Sequence, residues 1–129
     1  MKHKPFTPEK LQRQILGQLR MLGVELVLGM ALNLIGEDST GLMKTIYFIA
    51  LALHILIAFG IVGGAISIAV KEKSTLSVWA ATIAGSTLVS GMLTEALKQN
   101  VWSFVMACGF LITGWMYSVL YVRVDRQLR

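Results

Sequence analysis

TIYFIALALHILIAFGIVGGAISIAV, residues 45–70, is a run of 26 residues with no Asp, Glu, Lys or Arg and a single imidazole, His54. As a helix it would reach about 39 Å, more than the ~30 Å hydrocarbon core of a bilayer. A charge-free stretch of that length predicts a transmembrane helix. Three further apolar runs flank it. Residues 76–97 are free of charge until Glu95, and residues 101–122 carry none. Residues 21–36 carry only Glu25 but number 16, so the expected span is 17–36, with Arg20 snorkelling to the interface.

Composition agrees. The 129 residues are 55% hydrophobic and 15% charged, with a mean hydropathy of +0.66. Ordinary soluble domains have about 25% charged residues. The expected fold is therefore all-α: a four-transmembrane-helix bundle forming one membrane domain over residues 1–129. Its spans are expected at 17–36, 45–70, 76–97 and 101–122. With one cysteine, Cys108, neither an internal disulfide nor a cysteine-based metal cluster can form.

Residues 1–20 form a basic lead-in. Thr7-Pro8-Glu9 is a helix-start signal, and Leu11, Ile15, Leu19 and Leu22 follow at helical spacing. Two placements fit: an amphipathic segment lying among lipid headgroups, or the solvated start of the first span. No small-residue cleavage site precedes Glu37, so a retained helix rather than a signal peptide is expected.

Charge sets an expected orientation. The net charge of +5 in a soluble chain would suggest nucleic acid; here the charges punctuate apolar runs, and nucleic acid is not an expected partner. Ten of the twelve Lys and Arg residues fall in the N-terminal segment, the second loop (Lys71, Lys73) and the C-terminal tail (Arg123, Arg126, Arg129). Only Lys44 and Lys98 fall on the other side, which also holds Glu37 and Asp38. The positive-inside rule places both termini in the cytoplasm, in a multi-pass protein of the cell membrane. Tyr47, Trp79, Trp102 and Tyr121 stand near span ends, as an aromatic belt would.

The halves of the chain resemble each other. Residues 23–30 and 85–92 both read GxxLVxGM, an offset of 62, and Leu56-Ile57 matches Leu111-Ile112 at an offset of 55. Two tandem helical hairpins related by an axis along the membrane normal would produce this pattern. The repeat pairs Glu25 with Thr87 and Asn33 with Glu95.

Small residues mark expected packing faces. These are Gly29 and Gly36 with Glu25 and Asn33 in span one, and Gly60 and Gly64 in span two. Ala84, Leu88, Gly91 and Glu95 form the face in span three, and Ser103, Ala107, Gly114 and Ser118 that in span four. Surplus small faces point to a homo-oligomer, and the bilayer itself is the other expected partner.

The ionisable residues inside spans are the candidate functional ones. Glu25 lies ~16 Å below the outer end of span one and His54 ~14 Å below that of span two, so they share a depth on adjacent helices. A Glu–His pair there would relay protons, bind a cation, or act as a static polar clasp. Asn33, Glu95 and Thr87 are the other candidates for an ion path. Thr82, Ser86, Thr87, Ser90 and Thr94 would line water or bond back to their own helix. With only His54 in a span and His3 in the tail, no haem, metal or other cofactor is expected, and Cys108 has no base in its span. No enzymatic activity or catalytic residue is assigned, since no loop is long enough to fold into a catalytic domain.

GMALNL at 29–34, His54 with GIVGG at 60–64, and WSFVMACGF at 102–110 together resemble small four-helix bacterial membrane proteins of unassigned function. The resemblance implies the four-span bundle and the membrane location. It carries no activity. Three functions follow as expectations: an oligomeric channel or transporter centred on Glu25 and His54; a non-catalytic anchor or assembly subunit; or a redox or quinone-handling subunit.

The charge pattern is directly testable. In intact cells, a cysteine at Asp38 should react with a membrane-impermeant maleimide from outside, and one at Lys73 only after permeabilisation. The reverse pattern would invert the topology.

Overall fold

A computed structural model describes residues 7–97 and 100–129, the side chain of Asn100 excepted. Lys2, His3, Lys4 and Lys98 lie outside the described residues. The chain forms α1 (Pro8–Ile35), α2 (Gly41–Glu72), α3 (Thr75–Leu97) and α4 (Asn100–Leu128). All four are long and apolar enough to cross a membrane. Helices are what lipid allows, because a spanning segment must satisfy every backbone N–H and C=O internally.

Each helix begins or ends for a local reason. Thr7 is extended and Pro8 occupies the first turn of α1, where a missing N–H costs nothing. Gly36 closes α1 with φ +76°, its N–H reaching the Leu32 carbonyl at 3.0 Å. Lys73 closes α2 in the left-handed conformation, φ 54° and ψ 21°. Glycine is the usual residue there, but a cation complements the negative end of the helix dipole.

The lead-in is the first part of α1, which runs unbroken from Pro8. Leu11, Ile15 and Leu22 are buried inside the bundle, with Leu19 packed against them, so the stripe faces protein rather than headgroups. The spans expected at 45–70 and 101–122 extend at both ends, to Gly41–Glu72 and Asn100–Leu128.

The helices pack in a closed ring, α1 on α2, α2 on α3, α3 on α4 and α4 on α1. Contacts along α1 and α2 pair Gln14 with Lys71, Gln18 with Gly64, Met21 with Gly60, and Glu25 with His54. One set of numbers rises as the other falls, so these helices are antiparallel. Thr87 against Gly109 and Gly91 against Met106 give α3 and α4 the same relation. Gln12 Nε2 donates to Asp125 Oδ1 at 3.0 Å and ties the start of α1 to the end of α4.

The core occupies the half of the bundle that bears the termini. Ile15, Leu22, Ile61, Ala65, Ile68, Ala80, Ala84, Tyr117, Leu120 and Val124 form one cluster there. Large apolar side chains elsewhere, such as Leu34, Leu42, Phe104 and Leu111, point outward. That is the arrangement for a protein whose solvent is lipid.

Two expected faces differ. On α4 the buried face is Thr113, Tyr117, Leu120 and Val124, not Ser103, Ala107, Gly114 and Ser118. In lipid, an apolar alphabet gives little amphipathic contrast, so small residues alone misjudged the face. Tyr47 is buried, set edge-on to Phe48, and belongs to the packing rather than the belt; Trp79 is exposed, as a belt residue should be.

The α3–α4 interface supplies a stability test. A Cβ on Gly109 would overlap the Thr87 hydroxyl, whereas one on Gly114 would meet nothing within 4 Å. Gly109→Ala should destabilise by about 1–3 kcal/mol through overpacking. Gly114→Ala should be neutral or stabilise by up to about 1 kcal/mol. Reversible unfolding in mixed micelles would measure both.

Candidate functional site

The polar centre of the bundle begins with the spacing of α1. Gln14, Gln18, Met21, Glu25 and Gly29 recur at three- and four-residue intervals, so they form one stripe, and this stripe meets α2. Glu25 is 3% exposed, about midway along the spanning part of α1. Opposite it stands His54, whose side chain is 20% exposed. His54 Nδ1 lies 3.1 Å from Glu25 Oε1. The approach is close but off the line a ring N–H requires, and neither Nδ1 nor Glu25 Oε2 has a hydrogen-bond partner. Gly29, one turn from Glu25, admits the imidazole: a Cβ there would sit 3.6 Å from His54 Cε1, already in van der Waals contact.

A carboxylate at the bilayer centre costs roughly 2.5–3.5 kcal/mol on insertion scales. Two arrangements of the pair reduce that cost: a carboxylic acid beside a neutral imidazole, or a carboxylate beside an imidazolium. Both contain the same number of protons and both are neutral overall, so a proton moving from one side chain to the other leaves the net charge in the membrane unchanged.

The other candidates are not gathered here. Asn33 is exposed on α1, two turns further toward the first loop. Thr87 is in the α3–α4 interface and donates to the Ile83 carbonyl at 2.7 Å. Thr82, Ser86, Ser90 and Thr94 likewise donate to the carbonyl four residues back. Glu95 is exposed and lines an open cleft of about 520 Å³ with Glu37, Asp38, Lys44, Tyr47 and Leu51. Leu51 is one turn of α2 from His54, so the floor of this cleft lies about 4.5 Å along the helix from the pair. Among the packing glycines, Gly64 holds the Gln18 side chain, Gly60 and Gly91 touch the sulfurs of Met21 and Met106, and Gly114 makes no close approach. Among the described residues, no three His, Cys, Asp or Glu side chains are grouped to hold a metal.

Among the described residues, the buried Gln18, Ser77, Thr113 and Tyr117 escaped the sequence reading. Gln18 is 3% exposed and Tyr117 is fully buried. Gln18 had a legible signal: it lies seven residues before Glu25, hence on the same face. Tyr117 had none, since a tyrosine in an apolar run reads equally as core or interface. No protein-family model, curated protein or solved structure matches the chain.

The pair has an energetic signature. In a double-mutant cycle of Glu25→Gln and His54→Ala, read from unfolding, the coupling should be about 0.5–2 kcal/mol, the range of interhelical polar contacts in membranes. Additive effects would mean that the two side chains do not interact.

Proposed function

We propose that this chain is a small channel or transporter of the cell membrane, moving protons or small cations, with both termini in the cytoplasm. The observation that carries the reading is Glu25. It is an almost fully buried carboxyl group within a span, in contact with an imidazole and with one oxygen unpartnered. Ionisable side chains inside spans are expensive and mark ion pathways by default. The cleft that Leu51 lines supports an approach from the loop side, since its three carboxylates, Glu37, Asp38 and Glu95, outnumber its one cation, Lys44, and leave the mouth net negative. The outward-facing Ala107 and Ser118 on α4 support a homo-oligomer, because small residues allow helices of two copies to approach closely.

The tandem-hairpin reading belongs to this proposal. The two offsets relate Glu25 to Thr87 and His54 to Gly109, and Thr87 does pack against Gly109. One hairpin would then carry a polar pair where the other carries a hydroxyl against a glycine.

A second reading has its own support. The α3 hydroxyls donate to carbonyls of their own helix, which suits a static accessory subunit in which Glu25 and His54 are a clasp. Reconstitution into proteoliposomes separates the two. The transport reading expects proton or cation flux in the wild type and a loss of about tenfold or more in Glu25→Gln, with unfolding unchanged. No wild-type flux under either polarity of potential would refute transport and leave the clasp.

A further inference from the structure

Among the described residues, three side chains are nine-tenths or more buried and keep a polar atom without a partner: Gln18 Oε1, Glu25 Oε2 and the Tyr117 hydroxyl. Buried polar atoms are nearly always hydrogen-bonded, to protein or to ordered water, and an unmet one costs about 1–3 kcal/mol. Their places in the fold are related. Gln18 and Glu25 are two turns apart on one face of α1, about 10.5 Å along the axis. The Gln12–Asp125 bond sets the register of α4 against α1. Counted from it, Tyr117 stands level with the stretch between Gln18 and Glu25. A helical tyrosine leans toward the N-terminus of its own helix, which on α4 is the direction of Glu25.

On the side of the termini the polar groups continue to solvent. Gln14, one turn from Gln18, accepts a hydrogen bond from the exposed Lys71 Nζ at 3.1 Å. The room for Gln18 comes from Gly64, where any Cβ would overlap the Gln18 amide.

We propose that water ordered among Gln18, Tyr117 and Glu25 carries protons between Glu25 and the end of the bundle that bears the termini. Gln18 and Tyr117 are then the positioning residues of this leg. The inference rests on the transport reading above and narrows its cargo to protons. The orphaned atoms are mixed in kind: Gln18 Oε1 and Glu25 Oε2 accept, while the Tyr117 O–H also donates. Water, which both donates and accepts, matches that set; a metal cation asks for acceptors alone. In each transfer, Glu25 Oε2 takes a proton from an adjacent protonated water or returns one to a neutral water. Further along the same file of water, Gln18 accepts a hydrogen bond and Tyr117 exchanges one, and neither changes charge.

Two measurements on the intact protein in lipid nanodiscs and proteoliposomes test this. The first is radiolytic footprinting, in which X-rays generate hydroxyl radicals from water in place. Tyr117, despite its complete burial, should be oxidised in the wild type, and about tenfold less in Gln18→Leu. The second is proton flux. Gln18→Leu and Tyr117→Phe should each lower it about tenfold or more. Gln18→Leu should meanwhile leave thermal stability equal or higher, because a similar-sized apolar side chain replaces an orphaned carbonyl. A purely structural Gln18 would move neither labelling nor flux. An unlabelled Tyr117 in the wild type overturns the proposal. Flux that Glu25→Gln abolishes and Gln18→Leu spares overturns this leg while the transport reading stands. Gln18-dependent labelling without any wild-type flux overturns conduction altogether and leaves a bound-water site.

Discussion

A polar atom carried into hydrocarbon has to find its partner inside the protein, and most of this structure is an answer to that constraint. The backbone answers it by forming four helices. The hydroxyls of α3 and α4 answer it by donating to carbonyls one turn back, as Thr82, Ser86, Thr113 and Ser118 do. Glu25 answers it in part, through His54. Because such solutions are local, the outer faces of the helices are left to apolar side chains, and the bundle can be held together by close packing alone. Among the described residues the exceptions, where a buried polar atom remains unmatched, include Gln18 and Tyr117 in the half that bears the termini, Glu25 and His54 near the middle, and Ser39 and Trp102 toward the other end.

That half differs physically from the other. The cluster of Ile15, Ile68, Leu120 and Val124 packs much of it, and the Gln12–Asp125 and Gln14–Lys71 bonds secure it. Toward the first loop, the helices present their large side chains to lipid and leave a polar cleft between the loop, α2 and the end of α3. Glu25 and His54 stand between the two regimes. A group at such a boundary has the densely packed cluster on one side and the more loosely enclosed cleft half on the other.

Much of the fold was legible in the sequence, for reasons of scale. Residues 45–70 contain no charge over a length that exceeds a bilayer, and nothing shorter-range competes with that signal. The shared depth of Glu25 and His54 followed from counting helical rise, and the two side chains do meet. The bundle-facing side of α4 was not legible. Ser103, Ala107, Gly114 and Ser118 are small and evenly spaced, yet it is Tyr117 and Leu120 that are buried. In water, polarity tells inside from outside; in lipid both surroundings are apolar, and the choice depends on shapes that no single helix contains. The union of the lead-in with span one was equally open, because a stripe of Leu11, Ile15 and Leu22 suits a headgroup layer as well as a neighbouring helix.

The self-bonded hydroxyls of α3 have a mechanical consequence. Thr82, Ser86, Thr87, Ser90 and Thr94 meet their hydrogen-bonding need on their own rod, and Thr87 touches α4 only across a glycine. Sliding α3 along α4 therefore breaks none of these five bonds; what resists it is fit, with Thr87 seated at Gly109 and Met106 against Gly91. The α1–α2 seam adds a polar contact to its fit, since any slip there separates Glu25 from His54 as well as lifting Gln18 off Gly64. The molecule thus has one seam keyed by polar groups and one keyed by shape. A change of residue size therefore disturbs the α3–α4 seam, whereas a change of charge disturbs the α1–α2 seam.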